Sequence, residues 1–218
     1  MIKCFDIETN ECLSTFSKNA TSLAFISDNI FVSSAYGSTN ALVWNMDNSI
    51  EPIHTINLDH EDNYVGGHPL MGVSSTIFLI GDGSLVKAFE FTNTNVWTKK
   101  STFKGHSDTV SSLAKVNDSL FVSTSWDLSA KLWDITNDTE CLFTFCGHTN
   151  ILLSSVFLKE EKSIATGDYS GSIAVWSIAK YLENDQAKDE VQVIASSTQG
   201  HNTSDKDYGD QNPNTVEP

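Results

Sequence analysis

The sequence predicts an all-β fold built from four-stranded antiparallel meanders stacked one against the next, about four of them plus a partial N-terminal one. Three observations carry this expectation. Aromatic anchors at Phe5, Trp44, Phe89, Trp133 and Trp176 recur at spacings of 39, 45, 44 and 43 residues. Between them lie short runs rich in Val, Ile, Leu, Phe, Ser and Thr, separated by Asn, Asp, Gly or Ser turns. No long helical periodicity interrupts the pattern. A repeat of this length is one supersecondary unit that cannot bury both of its faces alone, so its neighbours must supply the cover.

Each unit has its own local grounds. Residues 1–16, "IKCFDIETNECLSTF" after the initial Met, read as the second half of a unit, with Phe5-Asp6 standing in for the Trp-Asp seen at Trp133-Asp134. The next unit, 17–58, carries "FVSSAYGSTNALVWN" up to Trp44; the third, 59–103, carries "FLIGDGSLVKAFEF" with Phe89 at the anchor. Residues 104–146 form the clearest copy, with strands expected near Val110–Val116, Leu120–Ser125, Ala130–Ile135 and Glu140–Cys146. The turns there are "VNDS", "SWDLS" and "ITNDTE". Residues 147–180 repeat that frame: Gly105 precedes Trp133 by 28 residues and Gly147 precedes Trp176 by 29. Beyond 180 the composition changes. From Glu183 to residue 218 there are eight acids and two lysines, so an acidic, mostly disordered tail is expected. Within it, Ala179–Glu190 suggests a short helix and Val191–Ser196 an outer strand for the last unit.

Charge narrows the partners. Thirteen basic residues against 28 acidic ones leave a net charge of −15, and every basic residue is Lys. Such a surface repels phosphate backbones, so direct nucleic-acid binding is not expected. Without Arg there are no guanidinium forks for phosphate groups. No apolar run reaches membrane-spanning length. The opening "MIKCFDIETNE" lacks the apolar core of a signal peptide. The expectation is an intracellular protein, cytoplasmic and/or nuclear. Cys4, Cys12, Cys141 and Cys146 have no metal-ligand spacing and read as reduced thiols. His60, Glu61 and Asp62, in the connector Asn57–Pro69, are adjacent residues that rarely converge on a cation, so neither metal nor cofactor is expected. The N-x-S/T sequons at Asn19, Asn117, Asn137 and Asn202 read as accidental.

The period, the Gly-His pairs and the Trp-Asp endings together resemble the WD-repeat (WD40) β-propeller family over about residues 1–178. The resemblance implies a buried hydrogen-bonded network of His106, Ser125, Asp127 and Trp133. His148 and Trp176 keep their places in the next unit, but six residues before Trp176 stands Ser170, and Asp168 lies two positions early. The Trp44 unit lacks Gly-His, and the Phe89 unit keeps only Gly67-His68; both blades are expected to be held more by apolar packing and less by polar wiring. His, Ser and Asp within thirty residues also suit a small propeller hydrolase, an alternative weakened by the absence of G-x-S-x-G and H-E-x-x-H motifs.

The resemblance further implies a non-catalytic scaffold for protein partners, with contacts on the face of d–a loops and b–c turns (strands within a blade being a to d from the axis outward). Tyr36, Trp126 and Tyr169 lie in those turns and are the candidate partner-binding residues. A substrate-recognition subunit of a ubiquitin ligase is the alternative within the binding class. About four blades plus a partial one suggest a partial or truncated propeller, a ring completed by another chain that supplies the missing blades, or an unusually small closed ring.

Overall fold

The computed structural model describes residues 1–16, 18–47, 51–58, 67–92, 96–136 and 139–183. Its strands fall into five antiparallel sheets in chain order. The first pairs β1 (Ile2–Phe5) with β2 (Cys12–Phe16). The second runs β3 (Ser22–Phe25), β4 (Ile30–Ser34), β5 (Asn40–Asn45), β6 (His54–Asn57). The third is β7 (Leu70–Ser74), β8 (Ile77–Asp82), β9 (Leu85–Phe91), β10 (Trp97–Phe103). The fourth is β11 (Val110–Lys115), β12 (Leu120–Ser125), β13 (Ser129–Asp134), β14 (Cys141–Cys146). The last has β15 (Leu152–Leu158), β16 (Ser163–Asp168) and β17 (Ile173–Ser177), followed by helix α1 (Ala179–Glu183).

These are propeller blades: every sheet is a meander of consecutive hairpins, and innermost strands pack on innermost strands, β3 on β7, β7 on β11 and β11 on β15. The strands expected in the fourth unit lie where the sequence put them, to within a residue or two. Their composition follows from their position. β4, β8 and β12 are covered on both faces and read as nearly continuous buried runs rather than as alternation. β15 is covered on one face only and exposes Leu153 and Val156.

The blades interlock through a recurring contact. In the first four sheets, the outer-strand residue opposite the position three before the anchor is large and apolar: Phe16 opposite Ile2, Ile56 opposite Ala41, Phe103 opposite Val86, Phe145 opposite Ala130. That residue packs on the next blade's anchor. Phe16 meets Trp44 with ring centroids 5.4 Å apart, Phe103 meets Trp133 at 5.7 Å, and Phe145 meets Trp176 at 5.5 Å. Three of the four cores are such seams; the remaining one joins Ile56 and Phe89.

Phe5 occupies the anchor position of the first sheet yet is half-exposed, because no described strand covers that face. The Asp of Trp-Asp has its own task, which the sequence reading left unassigned. Asp6, Asn45 and Asp134 each accept the amide two residues ahead and cap the c–d turn. Asp6 is held below the usual carboxylate pKa by the Thr9 amide and hydroxyl and by the Glu8 amide. The expected helix after Ile178 is present as Ala179–Glu183. Val191–Ser196, the rest of the acidic tail, the His60, Glu61 and Asp62 segment and Asn137 and Asn202 lie outside the described residues. Among the described residues no helix is long and apolar enough to cross a membrane.

Candidate functional site: buried wiring and an exposed turn face

In the fourth blade, the polar residues form one chain of hydrogen bonds. Trp133 Nε1 donates to Ser123 Oγ at 2.8 Å. Ser123 Oγ lies 2.7 Å from His106 Nε2, and His106 Nδ1 lies 2.7 Å from Asp127 Oδ2. Proton positions follow from the donor inventory. An indole N–H can only donate, so the single Ser123 proton goes to His106 Nε2. The imidazole proton is then on Nδ1 and is given to the acceptor-only carboxylate. The ring is neutral, and burial keeps its pKa below 6.5 against the pull of Asp127. Burial also works against the Asp127 charge, but the Ser129 hydroxyl, His106 and the Ser107 amide outweigh it and lower its pKa.

Here the structure corrects one expected residue. Ser123, not Ser125, bridges histidine and tryptophan. Strand register, not alternation, explains the choice between them: both point to the indole side of β12, but Ser123 faces Lys131, two residues from the anchor. Ser125 sits at the strand end, where its Oγ donates to the Asp108 carbonyl and accepts the Asp127 amide.

The fifth blade holds a second correction. Its network is complete. Trp176 Nε1 donates to Thr166 Oγ1 at 2.8 Å, Thr166 Oγ1 lies 2.8 Å from His148 Nε2, and His148 Nδ1 lies 2.8 Å from Asp168 Oδ2. Asp168 thus fills the Asp127 role from the strand end, two positions early, and Ser170 caps its other oxygen at 2.6 Å. That hydroxyl, with His148 and the Ser170 and Ser172 amides, lowers the Asp168 pKa to about 2 against the effect of burial. The Gly of the Gly-His pairs in the fourth and fifth blades is explained as well. A Cβ on Gly105 would sit 3.1 Å from Trp133 Cη2, and one on Gly147 would sit 3.2 Å from Trp176 Cη2. The indole lies directly beneath the glycine.

The second blade keeps a shortened version, Trp44 Nε1 donating to Ser33 Oγ at 2.8 Å. In the third blade both partners change together. Ile80 stands in the register position of the serine and Phe89 in that of the tryptophan, so no indole N–H needs an acceptor. Buried polar contacts are present in this blade beside its apolar core. Lys87 and Asp82 form a buried ion pair at 2.6 Å, and Lys87 also bonds the Leu58 carbonyl across the seam. His68, deeply buried, places its ring nitrogens 3.0 Å from the Gly81 carbonyl and 3.1 Å from that of Ser38.

The b–c turns lie outside this wiring. Counting from the bridging serine or threonine, Tyr36, Trp126 and Tyr169 occupy one equivalent position in the second, fourth and fifth blades, three residues on from Ser33, Ser123 and Thr166. They are 71%, 44% and 71% exposed. Gly83 takes that place in the third blade. The Trp126 and Tyr169 amides bond the carbonyls of Thr109 and Ile151, which ties both turns to the strand a entry. Each turn holds one residue in the left-handed region: Gly37, Gly83, Gly171 and, next to Trp126, Leu128 at φ 68°. A branched residue in that conformation is strained.

Among the described residues no group of three or more His, Cys, Asp or Glu side chains is placed to hold a metal ion. The four cysteines are free thiols.

Comparison with known proteins agrees with this geometry. The family profile described as "WD domain, G-beta repeat" matches residues 97–134 and 139–177. Periodic tryptophan protein 2 of Saccharomyces cerevisiae is 33% identical over 84 residues, 37% of this chain and 9% of that protein. An uncharacterized WD repeat-containing protein of Schizosaccharomyces pombe is 33% identical over 84 residues, 36% of this chain and 22% of the other. Periodic tryptophan protein 2 of Arabidopsis thaliana is 24% identical over 184 residues, 80% of this chain and 19% of that protein. The chain therefore spans between 9% and 22% of the length of these relatives. WD-repeat propellers serve in general as non-catalytic platforms for protein partners. In its repeats, its blades and these relatives, the chain is similar to WD-repeat (WD40) β-propeller proteins, and residues 97–134 and 139–177 match the WD-repeat profile itself.

Proposed function

We propose that this protein is a non-catalytic scaffold that binds a protein partner on its b–c turn face, with Trp126 as the central contact and Tyr36 and Tyr169 beside it. One observation carries the reading: three large aromatics occupy the same turn position in three blades and none of them is used to hold a blade together. Exposed Trp and Tyr side chains of this kind supply most of the binding energy at interfaces. Leu128, strained and partly exposed next to Trp126, adds apolar surface to the same turn.

Ser123, His106 and Asp127 are ordered like a hydrolytic relay, but the environment argues against chemistry. Ser123 is wholly buried, His106 is nearly so, and the Ser123 oxygen already accepts the Trp133 N–H. A nucleophile needs access to substrate and an oxyanion site. We read the set as blade wiring.

We also propose that further WD-repeat blades cover the two end faces in the working assembly, the chain being part of a larger ring. Val156 and Ile173, 51% and 60% exposed on the last sheet, correspond by register to Ala114 and Ala130 of the fourth blade, which are buried against a neighbour. Leu23 and Phe25 are uncovered at the other end.

The test is affinity purification of the full chain with intact-mass measurement of what is recovered, beside a Tyr36→Ala/Trp126→Ala/Tyr169→Ala variant. The reading expects protein partners that the variant loses while its melting temperature holds. Equal recovery by both proteins overturns the assigned face.

A further inference from the structure

The seam between the second and third blades differs from the other seams in one respect. Elsewhere an outer-strand Phe packs against a Trp anchor, edge-on for Phe16 on Trp44 and Phe103 on Trp133 and tilted for Phe145 on Trp176. At this seam both members are smaller, Ile56 for the Phe and Phe89 for the Trp. Two reductions in volume at one contact leave space that close-packed interiors do not normally tolerate. A cleft of about 240 Å³ opens there, lined by Ile56 and Phe89 themselves and by His54, Trp97, Val96 and Lys99.

We propose that this cleft is a binding site for an extended peptide segment of a partner protein, one that inserts an aromatic side chain between the blades and carries a carboxylate beside it. The other seams define the shape of the missing group: an aromatic ring seated on the anchor. The walls suit one. Phe89 stacks on Phe78 with centroids 5.3 Å apart, and Trp97 stands edge-on to Phe78 at 5.2 Å, so the apolar floor is fixed before anything enters. Preorganised apolar walls with a few polar groups at the mouth are the ordinary form of a side-chain pocket.

The flanking chemistry comes from two further features. β6, which supplies Ile56, is the outermost strand of its sheet and, among the described strands, pairs with β5 alone. An extended segment adds to such an edge through its backbone. Lys99 is exposed at the mouth and forms no ion pair with a described residue, whereas Lys100 and Lys115 pair with Glu90 and Asp118. An ammonium in that position favours an acidic neighbour to the inserted ring.

The site is on the side wall of the propeller, away from the b–c turns, and does not rest on the function proposed for them. Its test uses the full chain labelled with ¹⁵N and titrated with the capped peptide acetyl-Glu-Phe-Glu-Val-amide. Amide shifts are expected at His54–Asn57 and at Val96–Lys99, with little response to acetyl-Glu-Ala-Glu-Val-amide. Ile56→Phe/Phe89→Trp rebuilds the standard seam and fills the cleft; it is expected to weaken peptide binding at least ten-fold without lowering the melting temperature. Lys99→Glu, a surface change that leaves the core untouched, is expected to weaken it several-fold, and Trp126→Ala not at all. Unchanged binding by the filled variant or by Lys99→Glu, or no shift at those residues with millimolar peptide, overturns the assignment.

Discussion

Replacing Ser123 by Ala tests the reading of the buried network more sharply than any change at the histidine. The substitution deletes one hydroxyl in a strand whose every residue is buried. Two groups lose their partner at once: the Trp133 indole N–H, 2.8 Å away, and His106 Nε2, at 2.7 Å. Neither can turn to water, since Trp133 is fully buried and His106 nearly so. An orphaned buried donor or acceptor costs about 1–3 kcal/mol, so the loss should be about 2–5 kcal/mol. That is a large share of the roughly 5–15 kcal/mol that typical domains have. Ser125→Ala is the control. Its hydroxyl bonds a carbonyl and an amide near the turn, and removing it should cost only about 1 kcal/mol. The double variant Ser123→Ala/Trp133→Phe removes the orphaned N–H as well and should be about 1–3 kcal/mol more stable than additivity predicts. The third blade made this double change itself, with Ile80 and Phe89. Urea unfolding at pH 7.5 gives all these values. If Ser123→Ala costs no more than Ser125→Ala, or the double variant is merely additive, the bridging role of Ser123 is refuted.

Three other outcomes are expected. Stability should fall on acidification in two stages. The unfolded chain takes up a histidine proton near pH 6.5 that folded His106 resists, so stability declines below that pH; it declines again below about pH 4, where the unfolded chain protonates an aspartate that folded Asp168 keeps ionised down to about 2. A flat unfolding midpoint from pH 8 to pH 3 would contradict both assignments. Lys87→Met breaks the buried Asp82–Lys87 pair of the third blade and should cost about 3–5 kcal/mol in urea unfolding, most of it recovered in Asp82→Leu/Lys87→Met. Gly105→Ala forces a methyl to within 3.1 Å of the Trp133 ring and should cost about 1–3 kcal/mol, read as a lowered melting temperature.

The parts of the fold visible in sequence were those fixed by periodic packing. The anchors recur because each blade must present one large ring to the outer strand of the blade before it, and Trp133 and Trp176 sit as the repeat predicted. Hydrogen-bond partners were less legible. Ser123 and Ser125 both point to the same side of β12, so alternation alone cannot choose between them; the register against Lys131 does. Asp168 looked misplaced because the spacing was counted from Trp176, whereas a carboxylate at the strand end reaches the same imidazole nitrogen. The Lys87–Asp82 pair was missed, although the signal was present: a Lys two residues before an anchor that had lost its indole. The paired loss at Ile56 and Phe89 belongs to the same kind. Each change reads as conservative alone, and only the core shared by the two blades shows that both lie at one seam.

The central claim separates structural residues from binding residues within a single short stretch, Ser123 and Trp133 inside the blade and Trp126 outside it. The most direct measurement is the dissociation constant of a captured partner for the wild-type chain and for Trp126→Ala, with both melting temperatures recorded. The account predicts binding weaker by about 1–3 kcal/mol, close to ten- to a hundred-fold, at an unchanged melting temperature. An unchanged constant, or a loss of binding that appears only with a fall in melting temperature, would contradict it.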